Sequence, residues 1–479
     1  MKLYFEGIKL LFRKYILRYD TGKAIRIFCE HMGIAYVKAA QMLTSQNVGE
    51  LFTEEDRLIL SDICNKYKKV PFSEIKTILE AEYKTDIDNI FTYIDTEPVG
   101  SASISQVHQA ILKSGEVVAV KVKRKDITDK IERDLKDIRN CVHRFGKFFK
   151  YNNFIGGDHS LELYLKWLMD ETDFNHEKEN IKLYQNFANK VNGKIKGTKD
   201  ILVPKLYENL CTENVIVMEF INSPTLTEIS RDEENSEIIS MAINSYLKSS
   251  FYAFFHDEQI VFHGDPHNGN VYIDEEGNIG FLDMGLLFTL TDEEADLLRK
   301  LFFTAYAGNY EKLYDLLIPF SLMPEKEKAI FKEEVKDFCA RTHSLKLSEF
   351  YTEMIIICLR HEIVPPDFLF SMAKTFVILN GTNNLFDNDT TIEDLLMDQM
   401  VDYFFRRSLG DIKKVTMNAT KMAPKLLESV VTKGMYEGLV SEYMEFVTLY
   451  DYFLKSFEDS KEMVDIFKSF AEGMRKQRL

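Results

Sequence analysis

The chain has 479 residues, 45% of them hydrophobic and 28% charged, enough to bury a large core shared by two or more lobes. A formal net charge of −16 argues against sequence-independent nucleic-acid binding, which rests on basic patches, so no nucleic-acid partner is expected. Cys29, Cys64, Cys141, Cys211, Cys339 and Cys358 form no C-x-x-C pair and read as buried thiols of a reducing, cytoplasmic setting; no apolar run reaches the roughly eighteen residues of a membrane span.

The first twenty residues, MKLYFEGIKLLFRKYILRYD, mix Lys2, Lys9, Arg13, Lys14 and Arg18 with Leu and Phe. Such a helix suits a membrane surface. Amphipathic helices more often face a core, and packing on the body of the protein is the expectation here. Residues 28–47 read as helical, with Lys38 and Gln41 three apart on one face. TEEDRLILSDICNKY opens with Thr53 as an N-cap and Asp56 three later, and a further helix begins at Ser73. The pattern then changes. EPVGSASISQVHQAILKSGEVVAVKVKR reads as a strand, a Ser114-Gly115 turn and a valine-rich strand interrupted by Lys121. Residues 158–191 read as one long helix carrying MDETDFNHEKEN, with Asp173 and Glu177 on one face and Glu171 about a third of a turn away. NVIVMEFI is a buried strand. Beyond residue 235 helices dominate, apart from a hairpin in FHGDPHNGNVYIDEEGNIGFLDMG with its turn at Asp274–Asn278; residues 286–479 read as helical throughout. The order predicts an α+β arrangement of two lobes.

The hairpin carries the densest chemistry. Asp265 and Asn270 converge if their loop turns at Pro266 and Gly269, and hairpin closure brings Asp283 to Asn270. Asn270 and Asp283 supply hard oxygen ligands suited to Mg²⁺, and Asp265 is left to orient or deprotonate an attacking hydroxyl. Phosphoryl transfer of this kind needs a strand lysine held by a helix carboxylate. Lys121 fits the strand, and Glu177 or Asp173 can supply the carboxylate. It also needs a loop of small residues that lets backbone amides approach phosphate, and VGSASISQ is such a loop. Each feature has a plainer reading alone. A strand lysine is usually an edge residue, a helix Glu is usually solvated, and a D-G or N-G pair is usually a turn. Their order along the chain favours the kinase reading. His263, Asp265 and His267 also alternate as in some metal sites, but a complete ligand set is missing. His263 is expected instead to hydrogen-bond backbone near the loop.

HGDPHNGN followed by LDMG resembles the protein-kinase-like superfamily, small-molecule kinases of the aminoglycoside and choline type included. KAAQ at 38–41 is similar to the K-x-G-Q motif of the UbiB-like (aarF-domain-containing) atypical kinases. PVGSASISQVH at 98–108 is similar to their alanine-rich nucleotide loop, ETD at 171–173 to their E-x-D motif, and AKTFVILNGTNNLFD to their late helical region. The motifs stand in family order. Ala40 replaces the K-x-G-Q glycine, Gly100 the first alanine of the loop, and Met284 the Phe of D-F-G; Ser105 stands where glycine is frequent.

The resemblance implies a bilobal protein-kinase-like fold with a helical N-terminal extension and a largely helical C-terminal lobe. Its parts would be the extension at 1–90, an N-lobe with inserted helices at 91–222, a C-lobe at 223–345 and a helical C-terminal extension at 346–479. It implies that Lys38 and Gln41 sit on a helix folded over the active site, with Lys38 paired to Glu171 and Asp173 completing that motif. Lys121 would pair with Glu177, while Gly100, Ser101, Ala102 and Ser103 would lie over the nucleotide. Met218, Glu219 and Phe220 would form the hinge against adenine, Asp265 would take the catalytic-base position, and Asn270 and Asp283 would bind Mg²⁺. ATP and Mg²⁺ are the implied cofactors. Family links to isoprenoid quinone biosynthesis and lipid-facing roles imply transfer to water or to a small or lipid-like acceptor, with a membrane surface as a candidate partner. A nucleotide-binding pseudokinase scaffold and an aminoglycoside-type phosphotransferase stand as the alternatives.

Overall fold

The computed structural model describes most of residues 69–145, 157–255 and 259–361, residues 20–33 and 35–37, and scattered positions from Glu6 to Arg13 and from Ile363 to Ile378. Lys38, Gln41, the helix expected at Thr53 and residues 400–479 lie outside the described residues.

At the N-terminal end, α1 (Thr21–Met32) begins before the helix expected at residue 28 and stops at Gly33. Gly33 has φ +142°, and a methyl there would lie 2.6 Å from the Asp134 carboxylate, so the helical pattern is broken at a position that needs glycine. Glu6 is buried, with its carboxylate 2.7 Å from Lys9 and 3.4 Å from His31 of α1. That contact ties the N-terminal segment to α1.

α2 (Phe72–Tyr83) lies against an antiparallel sheet built from β1 (Phe91–Ile94), β2 (Gly100–Ser101), β3 (Ser105–Leu112), β4 (Val117–Lys123) and β6 (Val215–Glu219). The strand order is β1-β3-β4-β6, with β2 on β3. The expected Ser114-Gly115 turn joins β3 to β4, with Gly115 at φ +98°. Alternation along β4 decides what each residue does. Val118, Val120 and Val122 enter one core with Ile75 and Leu79 of α2 and Val215 and Val217 of β6. Ala119, Lys121 and Lys123 therefore take the opposite face, where Ala119 joins a second, larger core with Ile216 and Met218.

After α3 (Ile127–Phe145), the single helix expected over 158–191 is two helices, α4 (Gly157–Asp170) and α5 (Phe174–Val191). The break has a local cause. Thr172 and Asp173 amides make tight bonds back to Met169 and Asp170 carbonyls, and Asp173 then caps α5 by accepting from the Asn175 amide at 2.9 Å. The buried stripe of α5 runs Phe174, Glu177, Ile181, Tyr184, Ala188 and Val191, at the three-and-four spacing of a helix face.

The remainder is mostly helical: α6 (Glu233–Phe255), α7 (Asp292–Tyr306), α8 (Tyr310–Leu317), α9 (Lys328–Arg341) and α10 (Leu347–Arg360). The predicted hairpin is β8 (Val271–Ile273) and β9 (Ile279–Phe281), extended by parallel pairing of β5 (Ile201–Leu202) with β9. Its turn needs Gly277, at φ +81°, and closes through the Asp274 amide to the Asn278 carbonyl at 3.1 Å. A second pair was not expected: β7 (Val261–His263) and β10 (Leu287–Thr289), which corrects the helical reading from residue 286. Partners His263 and Leu287 bring the chain together before Asp265 and after Asp283, so both loops lie at one end of the hairpin.

Candidate active site

Three elements supply one buried charge cluster. Lys121 leaves β4 on the face turned to α5, and its Nζ donates to both carboxylate oxygens of Glu177, at 2.6 and 2.8 Å. The same ammonium reaches Asp283 Oδ2 at 3.1 Å. Glu177 lies in the apolar stripe of α5, and its side chain is 2% exposed; that of Asp283 is 52% exposed. Burial works against the Lys121 charge, but the Asp283 and Glu177 carboxylates together hold its pKa above the usual lysine range. Burial pushes the Glu177 carboxyl up to about 7, against the pull of Lys121 and of the Met284 amide that it accepts from. Of the two carboxylates weighed for Lys121, Glu177 is the one in contact, while Asp173 caps α5.

The Asp265 loop is held by its neighbours' side chains. His263 is buried; its Nδ1 accepts from the Asp265 amide at 3.1 Å, and its Nε2 donates to the Asp283 carbonyl at 2.6 Å. One neutral tautomer satisfies both bonds, and burial pulls its pKa down to about 4. The ring stacks on Phe281 with centroids 4.5 Å apart. With both nitrogens committed, His263 is a scaffold, as expected, and among the described residues no three His, Cys, Asp or Glu side chains form a metal cluster. Asn270 ties the same loops. Its Nδ2 donates to the Asp265 and Asp283 carbonyls at 3.3 and 3.2 Å, and its Oδ1 accepts from the Leu282 and Asp283 amides at 3.0 and 2.6 Å. The expected meeting of Asn270 with Asp283 therefore occurs through backbone. The donor set is all oxygen, as Mg²⁺ requires, with Asp283 offering a half-exposed carboxylate. Asn270 has its oxygen on two amides and needs to turn from them to ligate.

Gly100 and Ser101 form β2, and Ala102 begins a tight turn through its amide to the Ser105 carbonyl at 2.9 Å. Ser103 is buried. Register pairs Lys121 with Val107, so Val107 and Ala119 share the lysine's face. Exposed Val99, whose amide bonds the Val107 carbonyl, lies beside them. Val107 and Ala119 thus put apolar surface on the face of Lys121, with Met218 in register beside Ala119, and reasoning from the sequence missed them. Their only signal was alternation about Lys121. At the expected hinge, Met218 is buried beside Ala119, the Glu219 amide donates to the Lys205 carbonyl at 2.8 Å, and Phe220 packs on the larger core. Also missed was Asn180, one turn beyond Glu177, whose Nδ2 donates to the Met284 carbonyl at 2.9 Å and ties α5 to the Asp283 loop. A polar residue in a buried stripe was its signal. Glu171 lies half-buried just before the α5 cap; Lys38, its expected partner, is outside the described residues.

Comparisons with known proteins bear on the family. Residues 62–317, more than half of the chain, match the family described as ABC1 atypical kinase-like domain. A probable protein kinase UbiB of Shewanella woodyi is 26% identical over 373 residues, 75% of this chain and 66% of the relative. The chain thus spans just under two thirds of that relative's length. An uncharacterized protein of the hydrogenase 1 5′ region of Clostridium pasteurianum is 26% identical over 409 residues, 82% of this chain and 73% of the relative. Among solved structures, Rv3197 of Mycobacterium tuberculosis, in complex with erythromycin, aligns with TM-score 0.48 and 18% identity over 76% of this chain and 91% of that one. The chain belongs to the ABC1/UbiB family of atypical kinase-like domains, within the protein-kinase-like superfamily.

Proposed function

We propose that the protein binds ATP with Mg²⁺ between β4 and the Asp265–Asp283 loops and transfers the terminal phosphoryl group to water or to a small or lipid-like acceptor. The observation that carries the reading is the ammonium of Lys121 gripped by Glu177 and touching Asp283. A buried, permanently charged lysine beside a half-exposed carboxylate is what the α and β phosphates and their metal need. In this reading Glu177 orients Lys121, the 100–103 loop covers the phosphates, and Val99, Val107 and Ala119 face adenine above the Met218–Phe220 hinge. Asp265 accepts or orients the proton of the attacking hydroxyl, held in place by His263 and Asn270. Asp283 and Asn270 are the metal ligands, and Mg²⁺, when bound, supplies neutralisation of charge on the β and γ phosphates. Lys38, Gln41, Glu171 and Asp173 are assigned to the family-specific cover of this cleft. A role in isoprenoid quinone or lipid metabolism is proposed on the resemblance to the family alone. Among the described residues no helix is long and apolar enough to cross a membrane.

One observation favours a second reading, a nucleotide-binding scaffold without turnover: Asn270 Oδ1 is engaged by two amides. Thermal unfolding with and without Mg·ATP tests the first requirement. A single site at a hundred times Kd adds about 2.7 kcal/mol of stability. That gain is expected to need Mg²⁺ and to shrink in Asp283→Asn. No gain at millimolar Mg·ATP removes both readings. A full gain with no phosphate release or transfer, unchanged by Asp265→Asn, selects the scaffold.

A further inference from the structure

Arg124 follows the strand that carries Lys121 and Lys123, and it meets the small-residue loop at three points. Its amide donates to the Ile104 carbonyl at 2.9 Å, its Nε to the Ala102 carbonyl at 3.0 Å and its Nη2 to the Ser101 hydroxyl at 2.9 Å. The contacts span the loop from the last residue of β2 to the position before β3. Within that span, Ser101, Ala102 and Ser103 have little bulk with which to fix their own shape. A trans peptide sets its carbonyl and the following N–H on opposite sides. Holding the Ala102 carbonyl on the guanidinium thus turns the Ser103 amide away from Arg124. Loop amides are the groups such a segment offers to phosphate oxygens.

We infer that Arg124 is the positioning residue of the nucleotide loop, setting the affinity for Mg·ATP by fixing the direction of the loop's amides; the inference rests on the ATP-binding reading of the cleft. Two acceptors on different residues are held by one planar fork, Nε on one and Nη2 on the other. An ammonium has the same charge but no such fixed pair of donors. Arginine geometry, rather than positive charge, is therefore the operative property.

The test uses the full chain carrying Arg124→Ala, Arg124→Lys or Ser101→Ala. Amide hydrogen exchange of residues 100–105 is measured without nucleotide, and Kd for Mg·ATP is measured beside KM and kcat. Arg124→Ala is expected to speed loop exchange and to raise Kd and KM about tenfold, with kcat within a few-fold of the parent. Ser101→Ala is expected to act in the same direction, more weakly, about threefold. Arg124→Lys is expected to resemble Arg124→Ala. Unchanged loop exchange and unchanged Kd in a folded Arg124→Ala protein would overturn the inference, and so would full rescue by lysine, which would make charge the cause. If the parent protein fails to bind Mg·ATP, the ATP reading falls, and the exchange measurement still decides whether Arg124 orders the loop.

Discussion

Replacing Glu177 by glutamine keeps the side-chain volume and removes one charge from the buried cluster. In the parent, Lys121 has Glu177 at 2.6 and 2.8 Å and Asp283 at 3.1 Å. After the substitution the ammonium is still buried but faces only Asp283, whose 52% exposed carboxylate is screened by solvent. Removing one member of a buried ion pair costs about 3–5 kcal/mol, and the surviving Asp283 contact puts Glu177→Gln at the lower end, about 3 kcal/mol. The reverse removal, Lys121→Met, has a different pH dependence. Burial already raises Glu177 from 4.5 to about 7, and losing the ammonium takes away the pull that opposes this rise. An acid whose folded pKa is raised binds its proton more tightly when folded. Its stabilisation is full below its unfolded pKa and is lost as pH rises through the folded one, so Lys121→Met is expected to weaken from about pH 5 to pH 8. The double substitution removes both charges and is expected to cost less than the sum of the singles by about 2 kcal/mol or more. Urea unfolding can be followed through Trp167, the single tryptophan, which is buried with its ring 5.7 Å from Phe288. A cost below about 1 kcal/mol for Glu177→Gln, or simple additivity of the two substitutions, would refute the claim that the lysine depends on its buried partner.

The pH dependence of His263 runs the other way. Its folded pKa of about 4 lies below the ordinary 6.5, so stability present above pH 6.5 drains as pH falls toward 4, by about 3 kcal/mol in total; this loss, measured against His263→Gln, is expected to be absent from the variant. Gly280→Ala would drive a methyl into the ring of Tyr272, its register partner, and is expected to cost about 2 kcal/mol or more in urea unfolding; a neutral result would mean the buried ring can move aside. Asn270→Ala leaves the Asp283 amide without its acceptor, while the Leu282 amide keeps the backbone carbonyl of residue 270 at 2.9 Å, and the substitution is expected to destabilise the protein by about 2 kcal/mol with chelator present. A loss seen only in the presence of Mg²⁺ would make Asn270 a metal ligand alone.

The Lys121–Glu177–Asp283 cluster was legible because two short-range rules place it. Alternation in VVAVKVK puts Lys121 on the face opposite the valines, and hairpin closure carries Asp283 back to the Asp265 loop. Choosing Glu177 over Asp173 was not possible from periodicity, since both fit one helical face. The choice depends on the break at Thr172, where side-chain and backbone caps compete with continued helix. β7 and β10 were illegible for a different reason. Three residues are too few to establish a period, and Leu287–Thr289 is a strand only because Val261–His263 lies beside it. Arg124 carried no signal at all, because the two carbonyls and the hydroxyl on which it holds the loop are brought over by the β2–β3 turn.

The residues around Asp265 bear on stability and chemistry through the same atoms. His263 and Asn270 both join the backbone of Asp265 to that of Asp283, so the aspartate proposed as base and the aspartate proposed as metal ligand are set relative to each other by two side chains. Protonating His263 makes Nδ1 a donor, and it can then no longer accept from the Asp265 amide. Turning Asn270 toward a metal would release the Asp283 amide, while the Leu282 amide keeps the Asn270 backbone carbonyl. Either change alters the spacing of the pair before any reacting group is touched. Loss of turnover in a His263 or Asn270 variant therefore does not by itself assign chemistry to that residue. The separable groups are the carboxylates, since Asp265→Asn and Asp283→Asn change charge and leave every backbone bond to His263 and Asn270 available.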